Sequence, residues 1–318
     1  MKFMNVFLIV ILYLLFATTF TLAKAVVFFF PPFLCIGIRM LIAGALLLGY
    51  QTWTADITIN KKSWPLLLQV IIFHIYVAYT AEFWALQYVA SAKTALIYNL
   101  SPFITALIAF SLGYERLTAK KWLGLTFGMA ALFPWLLSST VTEDLVGHFS
   151  FVSFPELALV LSVASACYGW LLVFRLMKEY NYTPLTINGI AMLGGGFLAL
   201  ISSLYIEGAP HIFWEQPLGQ WESAIASLLG FKGTALVLGG LYLLALIIIA
   251  NIICYNLYAY LLKCYSATFL SFAGFMCPLF AAILGWLVFG EQLSGYFVAT
   301  LILVICGLYC FYQEELEK

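Results

Sequence analysis

The stretch Pro102-Phe-Ile-Thr-Ala-Leu-Ile-Ala-Phe-Ser-Leu-Gly-Tyr-Glu-Arg-Leu-Thr118 has a counterpart 176 residues later, Pro278-Leu-Phe-Ala-Ala-Ile-Leu-Gly-Trp-Leu-Val-Phe-Gly-Glu-Gln-Leu-Ser294. In both copies an almost wholly apolar run leads from a proline to a glutamate, and an alanine- and serine-rich segment precedes it, at 90–95 and 266–271. The chain is therefore predicted to contain two related units. A duplicated membrane unit is typical of transporters whose site lies between the halves.

The composition predicts a polytopic membrane protein. Hydrophobic residues make up 64% of the chain and charged residues 9%, with a mean hydropathy of +1.04. Apolar runs of about 17–25 residues are long enough to cross a ~30 Å hydrocarbon core as helices. Because these runs are continuously apolar rather than alternating, helices are favoured over a barrel. We predict an all-α protein with ten spans, at 4–23, 32–50, 64–82, 92–113, 122–140, 154–175, 185–206, 234–256, 265–288 and 294–312.

The distribution of Lys and Arg predicts the orientation, because short cytoplasmic loops carry an excess of them. With the N-terminus inside, ten of these residues are cytoplasmic and three lie on the opposite side. Arg39 falls within the second span. The pattern favours N- and C-termini in the cytoplasm, which in a bacterium means the inner membrane. The ten are Lys2, Lys61, Lys62, Arg116, Lys120, Lys121, Arg175, Lys178, Lys263 and Lys318, and the three are Lys24, Lys93 and Lys232.

Catalytic and metal-binding motifs are absent from the sequence. It contains no G-x-x-x-x-G-K-[ST], H-E-x-x-H or G-x-S-x-G pattern and only two aspartates, Asp56 and Asp144. The seven cysteines form no C-x-x-C pair, and the three histidines lack ligand spacing. We therefore expect no enzyme activity, no cofactor, no metal and no nucleic-acid partner.

Several short motifs resemble those of the EamA-type drug/metabolite transporter superfamily, in both halves of the chain. They are Phe16-Ala-Thr-Thr-Phe-Thr-Leu-Ala-Lys24, Pro32, Arg39-Met-Leu-Ile-Ala-Gly44, Trp84-Ala-Leu-Gln-Tyr-Val-Ala-Ser-Ala92, Tyr114-Glu-Arg-Leu-Thr118 and Phe289-Gly-Glu-Gln-Leu-Ser294. The resemblance implies two inverted five-helix repeats, here residues 1–140 and 141–318. It also implies a central cavity lined by the first, third, fourth, sixth, eighth and ninth helices, and secondary transport by alternating access. The fifth and tenth helices would be peripheral, and the protein a monomer or a homodimer.

Charged side chains at membrane depth are costly and tend to face the bundle interior or water. Arg39 is read either as a cavity charge that binds an anionic group or as a structural partner of Glu82, a backbone carbonyl or a helix end. Lys24, Lys93, Glu82 and Glu156 lie near the outer ends of their spans, where they could form a gate of ion pairs. Snorkelling explains the lysines equally well. Glu115 and Glu291 are expected to tether helix ends.

Polar and aromatic side chains on the expected cavity helices are the other candidates for substrate contact. Their periodicity on the third and eighth spans places several on one helix face. With Arg39, the predicted substrate-binding residues are Thr19, Tyr79, Phe83, Tyr98, Asn99, Tyr168, Trp170, Asn251, Tyr255, Ser271 and Phe275.

An aromatic, amide-containing cavity suits a flat solute held by stacking, cation–π contacts and hydrogen bonds. The leading hypothesis is a secondary transporter or exchanger of a small polar metabolite, an amino acid or a nucleoside-bearing metabolite such as S-adenosylmethionine. The alternative is broad export of hydrophobic or aromatic compounds. A membrane enzyme or a non-transporting scaffold ranks below both, because the catalytic constellation is missing and the architecture is duplicated.

Overall fold

The structure is a computed structural model that describes residues 2–55, 57–89, 94, 97–115, 118–119, 121–127, 130, 154–208, 234–277, 279–280, 283, 302–303, 305–307 and 309. Every regular element within these ranges is helical. This agrees with the predicted all-α class.

Besides a further helical stretch at residues 121–127, eight helices with described bounds organise this part of the chain. They are α1 (Lys2–Phe29), α2 (Pro32–Thr54), α3 (Lys61–Leu86), α4 (Ser101–Ser111), α5 (Phe154–Tyr180), α6 (Pro184–Ile206), α7 (Thr234–Leu246, Ile247–Cys254 and Tyr255–Leu261, continuous) and α8 (Ala267–Ala273). All but α4 and α8 are long and apolar enough to cross a membrane. They overlap six of the predicted spans. The predicted spans 92–113, 122–140, 265–288 and 294–312 are described only in part, so the count of ten stays a prediction.

Prolines and hydroxyl side chains set where the helices begin. Pro32 and Pro184 open α2 and α6 in the first turn, where the missing N–H of proline costs nothing. The Thr183 hydroxyl caps α6 by accepting from the backbone N–H of Thr186, and the Ser266 hydroxyl caps α8 in the same way. Pro102 also stands in a first turn, that of α4, and follows a turn at 99–100 that interrupts the predicted span.

The α2–α6 contact is an antiparallel packing of glycines against leucines. Each helix supplies two glycines and two leucines, and residue numbers that rise along one helix fall along the other. Each pair is matched by another at an offset of 152 residues; the pairs are Gly37–Leu200 with Gly189–Leu48, and Gly44–Leu193 with Gly196–Leu41. Small residues at such positions allow two membrane helices to approach closely.

Polar contacts hold both ends of the α2–α6 pair. The Glu207 carboxylate, just past α6, accepts from the backbone N–H groups of Phe33 and Leu34 at 2.8 and 3.0 Å. A carboxylate is favourable at a helix N-terminus, where these N–H groups have no partner within the helix. At the opposite end the Thr183 hydroxyl donates to the Gln51 side chain at 3.0 Å.

Both α3 and α7 contain a π-helical segment, at Val70–Val77 and Ile247–Cys254. The two segments lie within one residue of the 176-residue offset seen in the sequence. A side chain satisfies a backbone carbonyl in each: Thr80 donates to Tyr76 at 2.6 Å, and Asn256 donates to Ile252 at 2.8 Å. These two contacts are also separated by 176 residues. Such segments are frequent at functional sites.

The close α2–α6 approach leads to a stability prediction. A Cβ at Gly44 would lie 2.8 Å from the backbone nitrogen of Leu193, whereas one at Gly49 would meet nothing within 4 Å. We expect Gly44→Ala to destabilise the protein by about 1–3 kcal/mol, because backbone must move to make room. Gly49→Ala is the matched control, with stability unchanged or raised by up to about 1 kcal/mol. Thermal unfolding of the detergent-purified variants measures both, and equal melting temperatures would contradict the packing.

Candidate substrate cavity

A cavity lies between α1, α2, α3, α4, α5, α7 and α8, with a void of about 1040 Å³ when its open mouth is included. Its wall is mostly aromatic and apolar, with a few polar groups that converge on it, as in sites for small molecules. The polar and aromatic side chains of the wall are Tyr13, Phe16, Thr19, Phe20, Arg39, Tyr79, Glu82, Phe83, Tyr98, Asn99, Ser101, Cys167, Trp170, Tyr255, Tyr258, Ser271 and Cys277.

Arg39 is the cation of this cavity. Its side chain is 1% exposed, and its guanidinium carbon lies 4.5 Å from the ring centre of Tyr79 and 5.0 Å from that of Phe83. Both rings belong to α3, one helical turn apart, and they stabilise the cation through their π faces. Two nitrogen atoms of this buried guanidinium, Nε and Nη2, lack a hydrogen-bond partner in the described part of the chain.

Glu82 supplies a carboxylate to the same cavity. The Tyr98 hydroxyl donates to its Oε2 atom at 2.8 Å, and the Ser162 hydroxyl lies 2.9 Å from the Tyr98 oxygen. Because a phenol has a single proton, Ser162 must donate to Tyr98, so the chain of donors ends at Glu82. No ion pair joins Glu82 to Arg39, both of which the structure describes.

Aromatic rings form the other end of the cavity. Trp170 stacks on Tyr258 with ring centres 4.1 Å apart and planes at 29°, and the ring of Tyr255 is 4.9 Å from Trp170. The ring of His74, which is fully buried, has its centre 4.4 Å from that of Trp170. Trp170 follows Ser162 by eight residues on α5, which is about 12 Å along a helix. Ser162 and Trp170 therefore lie at different depths, and Tyr255, whose ring centre is 6.0 Å from that of Tyr79, connects the charged and the aromatic ends.

The structure brings together on the cavity wall most of the predicted substrate-binding residues: Thr19, Arg39, Tyr79, Phe83, Tyr98, Asn99, Trp170, Tyr255 and Ser271. Tyr168, Asn251 and Phe275 lie elsewhere. Tyr168 donates to Gln69 at 2.6 Å between α5 and α3, and Phe275 packs on Phe103 and Phe272. The Asn251 amide lies 3.0 Å from the Met40 sulfur, between α7 and α2.

The predicted gate residues have separate environments. The Lys24 ammonium donates to the backbone carbonyls of Leu86 and Val89, at the end of α3, where a cation is favourable. Glu82 lines the cavity, and Glu156 stands in the first turn of α5. Lys93 lies outside the described residues.

The expected tether at Glu115 is confirmed. Its carboxylate pairs with the Lys121 ammonium at 2.7 Å and accepts from the Thr268 backbone N–H, at the start of α8, at 3.4 Å. It thus joins the segment after α4 to a helix of the second half. Glu291 lies outside the described residues.

Sequence reasoning missed several wall residues of α1. Tyr13, Phe16 and Phe20 recur at i, i+3 and i+7, and Thr19 lies beside them, so helical periodicity alone could have found this face. Tyr13 also donates to the Leu270 carbonyl and thereby connects α1 to α8. Among the described residues, no three His, Cys, Asp or Glu side chains come together as a metal site would require.

Comparison with known proteins gives consistent similarities. Residues 3–136 and 156–313 match the EamA-like transporter family. The "S-adenosylmethionine/S-adenosylhomocysteine transporter" of Chlamydia trachomatis serovar L2 is 30% identical over 99% of this chain and 91% of its own. The protein of the same name from Chlamydia muridarum is 29% identical over 99% and 93%. A protein of known crystal structure, 17% identical, superposes with a TM-score of 0.68 over 96% of this chain and 94% of its own, which shows a shared fold.

Two native cysteines offer a test of the cavity. Cys277 lines it and is partly exposed, whereas Cys254 is buried with 0% exposure away from it. In variants in which either Cys277 or Cys254 is the single remaining cysteine, we expect a small water-soluble thiol reagent to label Cys277 at least tenfold faster, because reaction requires access to the sulfur. Mass spectrometry of intact protein measures the rates. Equal labelling of the two variants would show that the cavity is closed to water.

Proposed function

Because the chain belongs to the EamA-like transporter family, we propose that it is a secondary transporter or exchanger of a nucleoside-bearing amino acid, with S-adenosylmethionine as the first candidate. Alternating access would expose this cavity to each side of the membrane in turn. The proposal rests above all on the two-ended character of that cavity.

The chemistry of S-adenosylmethionine matches both ends. Its carboxylate can accept from the free donors of Arg39, whose planar fork suits a carboxylate better than a point charge does. Its purine can stack on the rings of Trp170, Tyr255 and Tyr258 at the other end. Ser162, which supports Tyr98 beside Glu82, lies roughly 12 Å along α5 from Trp170, so an elongated ligand with an amino-acid head and an aromatic base would span from the charged groups to Trp170.

The relatives support the same substrate class. The chlamydial proteins, similar to this chain over almost its whole length, are named for S-adenosylmethionine and S-adenosylhomocysteine. The second compound is the first without its transferable methyl group. Exchange of one for the other would import a methyl donor and remove its spent form through one cavity.

Two inverted five-helix repeats, residues 1–140 and 141–318, belong to this proposal. The reciprocal glycine–leucine pairs of α2 and α6 support it, since their antiparallel course and constant offset are what an inverted duplication produces. The paired π-helical segments of α3 and α7 support it at a second level. The excess of Lys and Arg supports cytoplasmic termini, and a bacterial inner membrane is the proposed location.

The alternative proposal, broad export of hydrophobic or aromatic compounds, draws on the same aromatic wall. The two charged side chains of the wall, Arg39 and Glu82, favour a polar solute instead. A purely apolar ligand would cover both charges without replacing the water they lose, which is unfavourable.

Exchange in proteoliposomes tests the proposed function. Vesicles loaded with S-adenosylhomocysteine should accumulate external S-adenosylmethionine when they contain the protein, and unloaded vesicles should accumulate far less. Loss of exchange with thermal stabilisation only by hydrophobic compounds would instead favour the export alternative.

Substitutions at the two ends should weaken binding separately. We expect Trp170→Leu to reduce affinity roughly tenfold, because base–aromatic stacking contributes ~1–3 kcal/mol. Arg39→Met should also reduce it, through the carboxylate. Trp64→Leu and Arg175→Met are the matched controls, since both side chains are exposed and lie outside the cavity. Binding of labelled substrate to purified protein measures the effect, and unchanged affinity in both cavity variants would overturn the proposed site.

A further inference from the structure

We propose that Glu82 is the cation subsite of the cavity and the residue that favours the sulfonium ligand S-adenosylmethionine over its neutral thioether counterpart, S-adenosylhomocysteine. This inference rests on the proposed function and deepens it, because it assigns the part of the ligand that one carboxylate recognises. It also gives Glu82 a role other than that of a gate.

The carboxylate of Glu82 has a defined position in the cavity. Glu82 lies on the cavity wall and is 7% exposed. Among the described residues that line the cavity, it is the one acidic side chain. The hydrogen bond from Tyr98 at 2.8 Å, itself supported by Ser162, holds the carboxylate in one orientation. A buried carboxylate held in this way is a built site rather than a mobile surface charge.

Arg39 does not form a salt bridge with this carboxylate. The guanidinium lies over the rings of Tyr79 and Phe83 instead, and none of its nitrogen atoms is within 4.0 Å of a Glu82 oxygen. Two opposite charges that have lost water and do not touch each other are each under-compensated. A ligand with a carboxylate and a cation at one end can contact both and compensate both.

The two ligands differ in charge. Both carry the carboxylate and ammonium of an amino acid, so both can use Arg39 and Glu82 together. S-adenosylmethionine carries one further positive charge, on the sulfonium beside the amino-acid chain. Glu82, the one acidic side chain among the described residues of the wall, carries the negative charge that attracts this additional positive charge. In the apolar interior this attraction is weakly screened.

The isosteric substitution Glu82→Gln removes the charge and keeps an acceptor for Tyr98. We expect its affinity for S-adenosylmethionine to fall at least tenfold more than its affinity for S-adenosylhomocysteine. Glu179→Gln is the matched control, because Glu179 is an exposed partner of Arg175 outside the cavity, and both affinities should stay unchanged. Isothermal titration calorimetry or scintillation proximity with each ligand on purified protein measures the change.

The outcomes separate the inference from the function on which it rests. Wild-type protein that binds neither ligand overturns both. Wild-type protein that binds both ligands, with Glu82→Gln weakening them by the same factor or not at all, overturns the role of Glu82 and leaves the proposed function standing. If Glu82→Gln binds neither ligand, Glu82→Asp decides, since it retains the charge: recovered preference for the sulfonium ligand supports the inference, and no recovery overturns it.

Discussion

The close antiparallel packing of α2 on α6 is the constraint on which the cavity depends. Gly37 and Gly44 lie against α6, so the backbones approach at two levels of the membrane. Arg39 follows Gly37 by two residues, and residues at that spacing lie on opposite sides of a helix. Close contact on one face of α2 therefore directs Arg39 from the other face towards the rings of α3. A wider α2–α6 separation would move the charge relative to Glu82.

The π-helical segments determine which side chains of α3 and α7 reach the cavity. A wide turn shifts the helical register, and the residues just after it face a direction that an uninterrupted helix would not give them. Tyr79 and Tyr255 each follow such a segment, and their rings meet 6.0 Å apart in the cavity. Asn251 lies inside the second segment and faces the Met40 sulfur instead.

The sequence was sufficient for the class of fold, because long apolar runs indicate helices in lipid. It also identified much of the cavity wall, because polar side chains at membrane depth tend to face the bundle interior. It was insufficient for deciding which of two nearby polar or aromatic residues on a helix lines the cavity. Asn251 and Tyr255 share a face at i, i+4 in a helix, but only Tyr255 lines the cavity, and the Asn251 amide lies against the Met40 sulfur. Tyr168 and Trp170, two residues apart, cannot both face the cavity in a regular helix, and only Trp170 does. The position of Arg39 over two rings of α3, without an ion pair to Glu82 on the same helix, depends on how α2 packs against α3, which no local pattern encodes.

Some aromatic positions of the cavity are matched between the two halves of the chain, whereas its charged positions are not. Tyr255 occupies the position 176 residues after Tyr79, and both rings line the cavity. The position equivalent to Glu82 at the same offset is Tyr258, and the position equivalent to Arg39 at the α2–α6 offset of 152 is Ala191. The proposed duplication would account for a scaffold whose two halves rock against each other. Differences at single positions leave Arg39 and Glu82 in the first half and the stacking ring of Tyr258 in the second, so the two halves contribute different chemistry to the cavity.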